Sequence, residues 1–252
     1  MTLGRDTLFS SPLDKLVDFN FDEKVASVFP DMINRSVPGY ASIVAMSGVL
    51  SAEFYQHHSN CYDLGCSLGA SALSMAKALQ ARFSDEQRSA IIAVDNSTAM
   101  LAKAKSLLQQ SDPDSAYSKA IDFICADVND IVIENASVVV MNFTLQFIEP
   151  QQRKNLLARI YQGMKPGGIL ILSEKLNYSD AEQQKLLIDM HHFFKKANGY
   201  SDLEISQKRQ TLENVLLPET LAQHKQRLND VGFKQTEQWF QCFNFSSIIA
   251  IK

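Results

Sequence analysis

Tyr62-Asp63-Leu64-Gly65-Cys66-Ser67-Leu68-Gly69-Ala70 is the stretch around which the chain is organised. A short apolar run ends in an acid, passes through a loop of small residues and opens a helical pattern. Gly65 and Gly69 permit backbone angles and close approaches that a Cβ would block. The amides that begin the following helix point free N–H groups outward. Such a loop reads as the floor of a nucleotide-like cofactor site.

Outward from that loop the rhythm is strand then helix. Strand-like runs near Cys61–Leu64, Ala90–Asp95, Ile121–Asp127, Ser137–Asn142 and Ile169–Glu174 alternate with helical patterns near Ala70–Arg82, Thr98–Gln110 and Pro150–Met164. Alternation of this kind specifies a parallel sheet covered by helices on both faces. Two last runs, Phe233–Phe240 and Asn244–Ile251, are too close together for a crossover helix and read as an antiparallel hairpin. Lys165-Pro166-Gly167-Gly168 reads as the turn into the fifth strand. The expected fold is an α/β, mostly parallel seven-stranded sheet with helical additions before the first strand and after the fifth.

Before the sheet, turn signals at Pro12, Pro30 and Pro38-Gly39 separate helical stretches at Asp22–Phe29 and Ala41–Gln56. In the second, Ile43, Met46, Val49, Leu50 and Phe54 recur at helical spacing as one apolar face. The chain divides into a helical cover over 1–57, an α/β core over 58–178, a helical insertion or lid over 179–217, and a last helix and hairpin over 218–252. All four belong to one domain.

Composition excludes several function classes. The net charge is −4 and the pI about 5.7, against a nucleic-acid footprint, which needs clustered Lys and Arg. Cys61, Cys66, Cys125 and Cys242 form no CxxC pair and no zinc spacing, the usage expected of a reduced, cytoplasmic protein. Cys61 and Cys125, in apolar runs, are expected to be buried small hydrophobes. Cys66 has no nearby His to activate it as a nucleophile. No run is apolar enough to span a membrane, and Met1–Asp6 lacks a signal-peptide core. His191 and His192 are adjacent, diverge by about 100° on a helix and cannot share a metal as i,i+4 residues do; no metal is expected.

Ligands of such sheets bind beyond the carboxyl ends of the strands, and there stand Asp63, Asp95-Asn96, Asp127 and Asn142. A nicotinamide fingerprint wants Gly-x-Gly-x-x-Gly and an acid about twenty residues on. Here Ser67 and Ala70 replace the second and third glycines, and the acid, Asp95, comes thirty residues after Gly65. A carboxylate at Asp95 can accept both ribose hydroxyls, and Asp127, beside the Val128 amide, is placed to accept from an adenine amino group. Each acid alone is explicable as a helix N-cap; the ordered set is not. Tyr40, after Pro38-Gly39, is placed either to cap a ligand or to pack. The set resembles the class I S-adenosylmethionine-dependent methyltransferase pattern over about residues 60–175 and the terminal hairpin.

Flanking residues narrow the resemblance. Phe29-Pro30-Asp31-Met32-Ile33-Asn34-Arg35-Ser36-Val37-Pro38-Gly39-Tyr40, Asn142-Phe143-Thr144-Leu145-Gln146-Phe147, Leu203-Glu204-Ile205-Ser206-Gln207-Lys208-Arg209 and Trp239-Phe240-Gln241-Cys242-Phe243-Asn244-Phe245 look like the carboxy-S-adenosyl-L-methionine synthase family, nearly end to end. The resemblance implies transfer of a carboxyl group from prephenate to the sulfonium methyl of S-adenosyl-L-methionine, with release of phenylpyruvate. The product, carboxy-S-adenosyl-L-methionine, would serve a separate tRNA carboxymethyltransferase, and the protein would be a homodimer. The family's cofactor contacts fall on Tyr40, Gly65, Cys66, Ser67, Asp95, Asn96, Asp127, Val128, Asn142 and Arg209. Read alone, Arg209 is a solvated helix charge beside Glu204 and Lys208; the resemblance makes it the grip on the added carboxylate, which a guanidinium can hold with two hydrogen bonds. No side chain stands out as a base, and prephenate itself is expected to supply both carbon dioxide and the proton acceptor. An ordinary small-molecule methyltransferase and a non-catalytic S-adenosylmethionine-binding module are the other readings of the same pattern.

Overall fold

A computed structural model describes residues 4–12, 19–83, 90–111, 116–212 and 215–252; Glu213 and Asn214, within the expected insertion, lie outside them. Five parallel strands, β1 (Asn60–Leu64), β2 (Ile91–Asp95), β3 (Ile121–Cys125), β4 (Ala136–Asn142) and β5 (Met164–Lys175), are completed by β6 (Gln235–Cys242) and β7 (Phe245–Ile251). The sheet runs β3-β2-β1-β4-β5-β7-β6, with β7 antiparallel to both β5 and β6. This is the α/β class I arrangement expected from the sequence. Because β1 starts in the middle and the chain first steps toward β3, then jumps back to β4, the β1–β4 boundary is the switch point where such folds bind ligands.

Helices α1 (Glu23–Ser36), α2 (Tyr40–Phe54), α3 (Ala70–Arg82), α4 (Thr98–Ser111), α5 (Ala116–Lys119), α6 (Pro150–Gly163), α7 (Ala181–Ala197), α8 (Asp202–Leu212) and α9 (Leu221–Val231) surround the sheet. Central strand β4 shows how the two faces are filled. Val139 and Met141 point into a cluster with Leu156, Leu157, Ile160 and Leu228 of α6 and α9. Val138 and Val140 point the other way, among Ala72, Met75, Leu79 and Leu101 of α3 and α4. Each such fully buried aliphatic contributes about 1.5–3 kcal/mol.

Four expectations change. Pro30 does not end a helix but lies inside α1. The helix gives up the bond Pro30 cannot donate, yet persists because Asp22 caps its start at Val25 N and Val25, Val28 and Met32 pack against Met100 of α4. On α2 the buried face is Ile43, Ser47, Gly48, Ser51 and Ala52, while Met46 and Val49 are exposed. Small residues win that face because α2 and α3 approach closely: a Cβ on Gly48 would stand 2.4 Å from Ser74 Oγ and 2.7 Å from Ser74 O. Lys165–Gly168 is not a turn before β5 but an irregularity within it, since Ala136 pairs with Met164 and Val138 with Ile169. Cys125 is exposed, whereas Cys61 is buried; β3 is an edge strand and its last residues are covered on neither side.

Among the described residues no helix is long and apolar enough to cross a membrane. Helix α7 carries an exposed apolar stripe, Leu186, Met190 and Phe193, with Leu203 of α8 also exposed.

Gly48→Ala should destabilise the protein by about 1–3 kcal/mol, because the methyl meets backbone that cannot swing aside. Urea unfolding of the two proteins measures this; an unchanged midpoint would mean that α2 and α3 separate without cost.

Candidate active site

The loop after β1 is held by two carboxylates. Asp63, buried on β1, accepts the Ala72 N–H of α3 at 2.9 Å. Burial, opposed by that bond and reinforced by the charge of Asp95, pushes Asp63 up to about 7. Asp95, at the end of β2, accepts the Ser67 N–H through Oδ2 at 2.8 Å and the Ser97 N–H through Oδ1 at 2.9 Å. Burial pushes its carboxyl above the usual range against the pull of those two donors. One acid thus fixes two loops, and Ser67 takes a left-handed φ of 52° within the first of them. Gly65 is required on both counts its sequence suggests: its φ is 78°, and a Cβ there would stand 2.1 Å from Thr144 Oγ1, which donates to Leu64 O.

Above these loops lies a cavity of about 920 Å³ roofed by α1, α7 and α8. Tyr40, Gly65, Cys66, Ser67, Asp95, Asn96, Asp127, Val128 and Asn142 all line it. Asp127 is exposed just past β3 and accepts the Asn129 N–H at 2.8 Å. Val128 is buried beside it. The Cys66 thiol is buried and held protonated by desolvation and by the nearby Asp63 and Asp95 charges, which removes it from consideration as a nucleophile. Burial and Asp63 likewise push the Tyr40 phenol up, so it offers a hydroxyl and not a phenolate. Asn142 closes β4 at the centre of the floor: its Nδ2 donates to Ser71 Oγ at 2.9 Å and Ser47 Oγ at 3.3 Å, and its Oδ1 accepts from Ser173 Oγ at 2.6 Å.

Arg209 stands apart from this set. It is exposed on α8, outside the cavity lining, although its charge acts on Lys175, His192 and Lys195.

The sequence reading missed the cationic end of the cavity. Lys175 at the end of β5, Lys195 of α7 and Lys208 of α8 all line it, with His191 and Ser36. Lys208 Nζ is 2.9 Å from Ser36 Oγ and 3.6 Å from the buried Asp6 Oδ2. His191 faces the Ser36 carbonyl oxygen through Nε2 at 2.7 Å and packs on Phe245 with ring centroids 4.8 Å apart. Burial, with Lys195 and Lys175 nearby, pulls His191 down to about 2, so the ring is neutral and Nε2–H is the donor. Lys175 was legible in principle, as the polar end of a fifth strand; Lys195 and Lys208 look like ordinary helix charges until tertiary packing turns them inward.

Burial and the charges of Lys208, Lys175 and Arg209 pull Lys195 down to about 7. His191 and His192 of its own helix are the other titratable neighbours. The folded value is thus below the unfolded value of about 10.4. Between the two, the unfolded chain binds more protons, so this residue makes stability rise with pH from about 7 to 10. Thermal unfolding without ligand, scanned from pH 6 to 9.5, should show that rise and a flatter profile in Lys195→Met; identical profiles would refute the assignment.

The comparisons with known proteins agree with this geometry. A family model described as a methyltransferase domain matches residues 62–168. A carboxy-S-adenosyl-L-methionine synthase of Geobacter sp. (strain M21) is 56% identical over 252 residues, covering 100% of both chains. One from Vibrio cholerae serotype O1 is 56% identical over 248 residues, covering 98% of this chain and 97% of its own. Among solved structures, a putative S-adenosyl-L-methionine-dependent methyltransferase from Methanococcus maripaludis aligns at TM-score 0.57 and 21% identity, over 96% of each chain. Human N-acetylserotonin methyltransferase in complex with SAM aligns at TM-score 0.58 and 19% identity, over 97% of this chain and 61% of its own. The structural likenesses establish the fold, and the full-length relatives establish more: the chain belongs to the carboxy-S-adenosyl-L-methionine synthase family.

Proposed function

We propose that the protein converts S-adenosyl-L-methionine and prephenate into carboxy-S-adenosyl-L-methionine and phenylpyruvate. The observation that carries this reading is the continuity of one cavity from the acids ending β1 and β2, past Asn142, to Lys175 on β5. Its volume lies at the upper end of the roughly 300–1,000 Å³ usual for small-molecule sites, room for a nucleoside and a second reactant side by side. The cradle fits the nucleoside. Asp95 is half-buried with both oxygens already oriented by backbone donors, leaving lone pairs for ribose hydroxyls; Asp127 and the Val128 amide suit the adenine edge; the Gly65–Ser67 loop supports the amino-acid arm.

When bound, S-adenosylmethionine supplies a methyl group acidified by its sulfonium. Prephenate loses its ring carboxylate as carbon dioxide; the freed electron pair aromatises the ring and expels the ring hydroxyl, which leaves as water with the methyl proton. The methyl carbon then takes up the carbon dioxide. The protein's part is to hold the two reactants together and dry. Asn142 cannot rotate, because three serines hold its amide, and with Tyr40 it forms the wall where the methyl would lie. We assign Arg209, exposed on α8, to the new carboxylate. The exposed α7 stripe supports a homodimer, and the four free cysteines accord with a cytoplasmic setting. The product would feed a separate tRNA carboxymethyltransferase.

Mass spectrometry of co-purified ligand should find an adenosyl sulfonium heavier than S-adenosylmethionine by one carboxyl group, and turnover should require prephenate. Ordinary methyl donor alone, with no prephenate-dependent product, would reject the reading. Arg209→Ala should weaken carboxy-S-adenosylmethionine by about 1.5–3 kcal/mol and S-adenosylhomocysteine far less; equal losses in calorimetry would remove its role.

A further inference from the structure

We propose that Lys175, Lys195 and Lys208 form an anion subsite that receives the carboxylates of the co-substrate, a ring dicarboxylate. The proposal rests on the prephenate reading for the identity of that dicarboxylate, and on the sheet order for its place. At the strand ends that floor the cavity, the acids Asp63, Asp95 and Asp127 come from β1, β2 and the residues just after β3, all on one side of β4, and Lys175 comes from β5, on the other side; Asp22, Glu23 and Glu149 line the cavity from outside the strands. Neutral Asn142 ends the strand between them. The floor of the cavity is therefore divided by charge along the strand ends. Its acidic half suits the hydroxyl, amine and sulfonium groups of the nucleoside, and its basic half suits an anion.

No described residue pairs with the two inner ammonium groups. Lys208 is tied to Asp6 and Ser36. Among the described residues, neither Lys175 Nζ nor Lys195 Nζ makes an ion pair or a hydrogen bond, although Lys195 is only 7% exposed. The protein thus collects like charges from three separate elements, and those of Lys208 and Lys175 both act against the charged form of Lys195. Uncompensated buried charge is costly, and ionisable groups perturbed by burial and by one another inside a cleft are candidate binding groups. A dianion removes the cost: each carboxylate neutralises one ammonium through a charge-assisted hydrogen bond. Neutral His191, fixed by Ser36, adds no competing charge to that wall. Held there, the anion lies against the floor residue, Asn142, that separates it from the nucleoside cradle.

The competing occupant is the carboxylate of S-adenosylmethionine itself. Calorimetry separates the two. Wild type saturated with S-adenosylhomocysteine is titrated with prephenate and with isophthalate, an unreactive ring dicarboxylate, and so are Lys175→Met and Lys195→Met, which keep the bulk of the lysine stem. Thermal unfolding verifies that both variants fold. Each substitution should weaken both dianions at least about tenfold and leave S-adenosylhomocysteine affinity unchanged, with Lys195→Arg restoring binding. Unchanged dianion affinity in both variants overturns the subsite. So does a matching loss of S-adenosylhomocysteine affinity, or failure of either dianion to bind the wild type. Lysine-dependent binding of isophthalate without binding or turnover of prephenate leaves the subsite standing and rejects the prephenate reading.

Discussion

Asn142 is the side chain through which the parts of this molecule are joined at the cavity. It ends the most buried strand, and its amide meets α2 through Ser47, α3 through Ser71 and β5 through Ser173, whose hydroxyl is 2.8 Å from Ser247 of β7. Four buried hydroxyls are tolerable here because each has a hydrogen-bond partner, three of them the Asn142 amide and the fourth, Ser247, the hydroxyl of Ser173. Their short side chains also let α2 lie close to α3, the same demand that Gly48 meets further along the helix. The polar floor of the site and the small-residue seam beneath it are one arrangement.

Strand order then determines electrostatics. In an open α/β sheet every strand end opens into the same crevice, but neighbouring ends need not carry the same sign. Here Asp63 and Asp95 stand on adjacent strands, and burial raises both carboxyls, while Lys175 emerges two strands along from β1. Lys195 and Lys208, contributed by the helices inserted after β5, intensify the positive end. The insertion therefore does more than cover the cavity: it changes the chemistry of the half it covers.

Much of this was legible in the sequence, for definable reasons. Parallel strands are buried on both faces and read as apolar runs, and the acids that stop them are visible as such: Asp63 and Asp95 were readable. What escaped was whatever a neighbour decides. Pro30 looks like a stop until Met100 holds α1 together. Met46 and Val49 look like a core face until Ser74 shows that only small residues fit there. Cys125 looks buried until β3 proves to be the edge. Lys195 and Lys208 occupy helices whose spacing gives no sign that their charges turn inward. Arg209, assigned by family resemblance, is exposed on α8 outside the cavity lining, a fact no motif conveys.

Asp6 carries a consequence for how the site comes into being. Its carboxylate accepts the Tyr200 hydroxyl at 2.5 Å and stands beside Lys208, and its backbone is tied to Asp31 and Arg35. Residues made earlier are thus fastened to residues made about two hundred positions later. During synthesis from the N-terminus, β1 to β5 can pair before the roof is latched, but this fastening waits until α8 has left the ribosome. The cofactor floor is in that sense older than the chamber above it, in every molecule made.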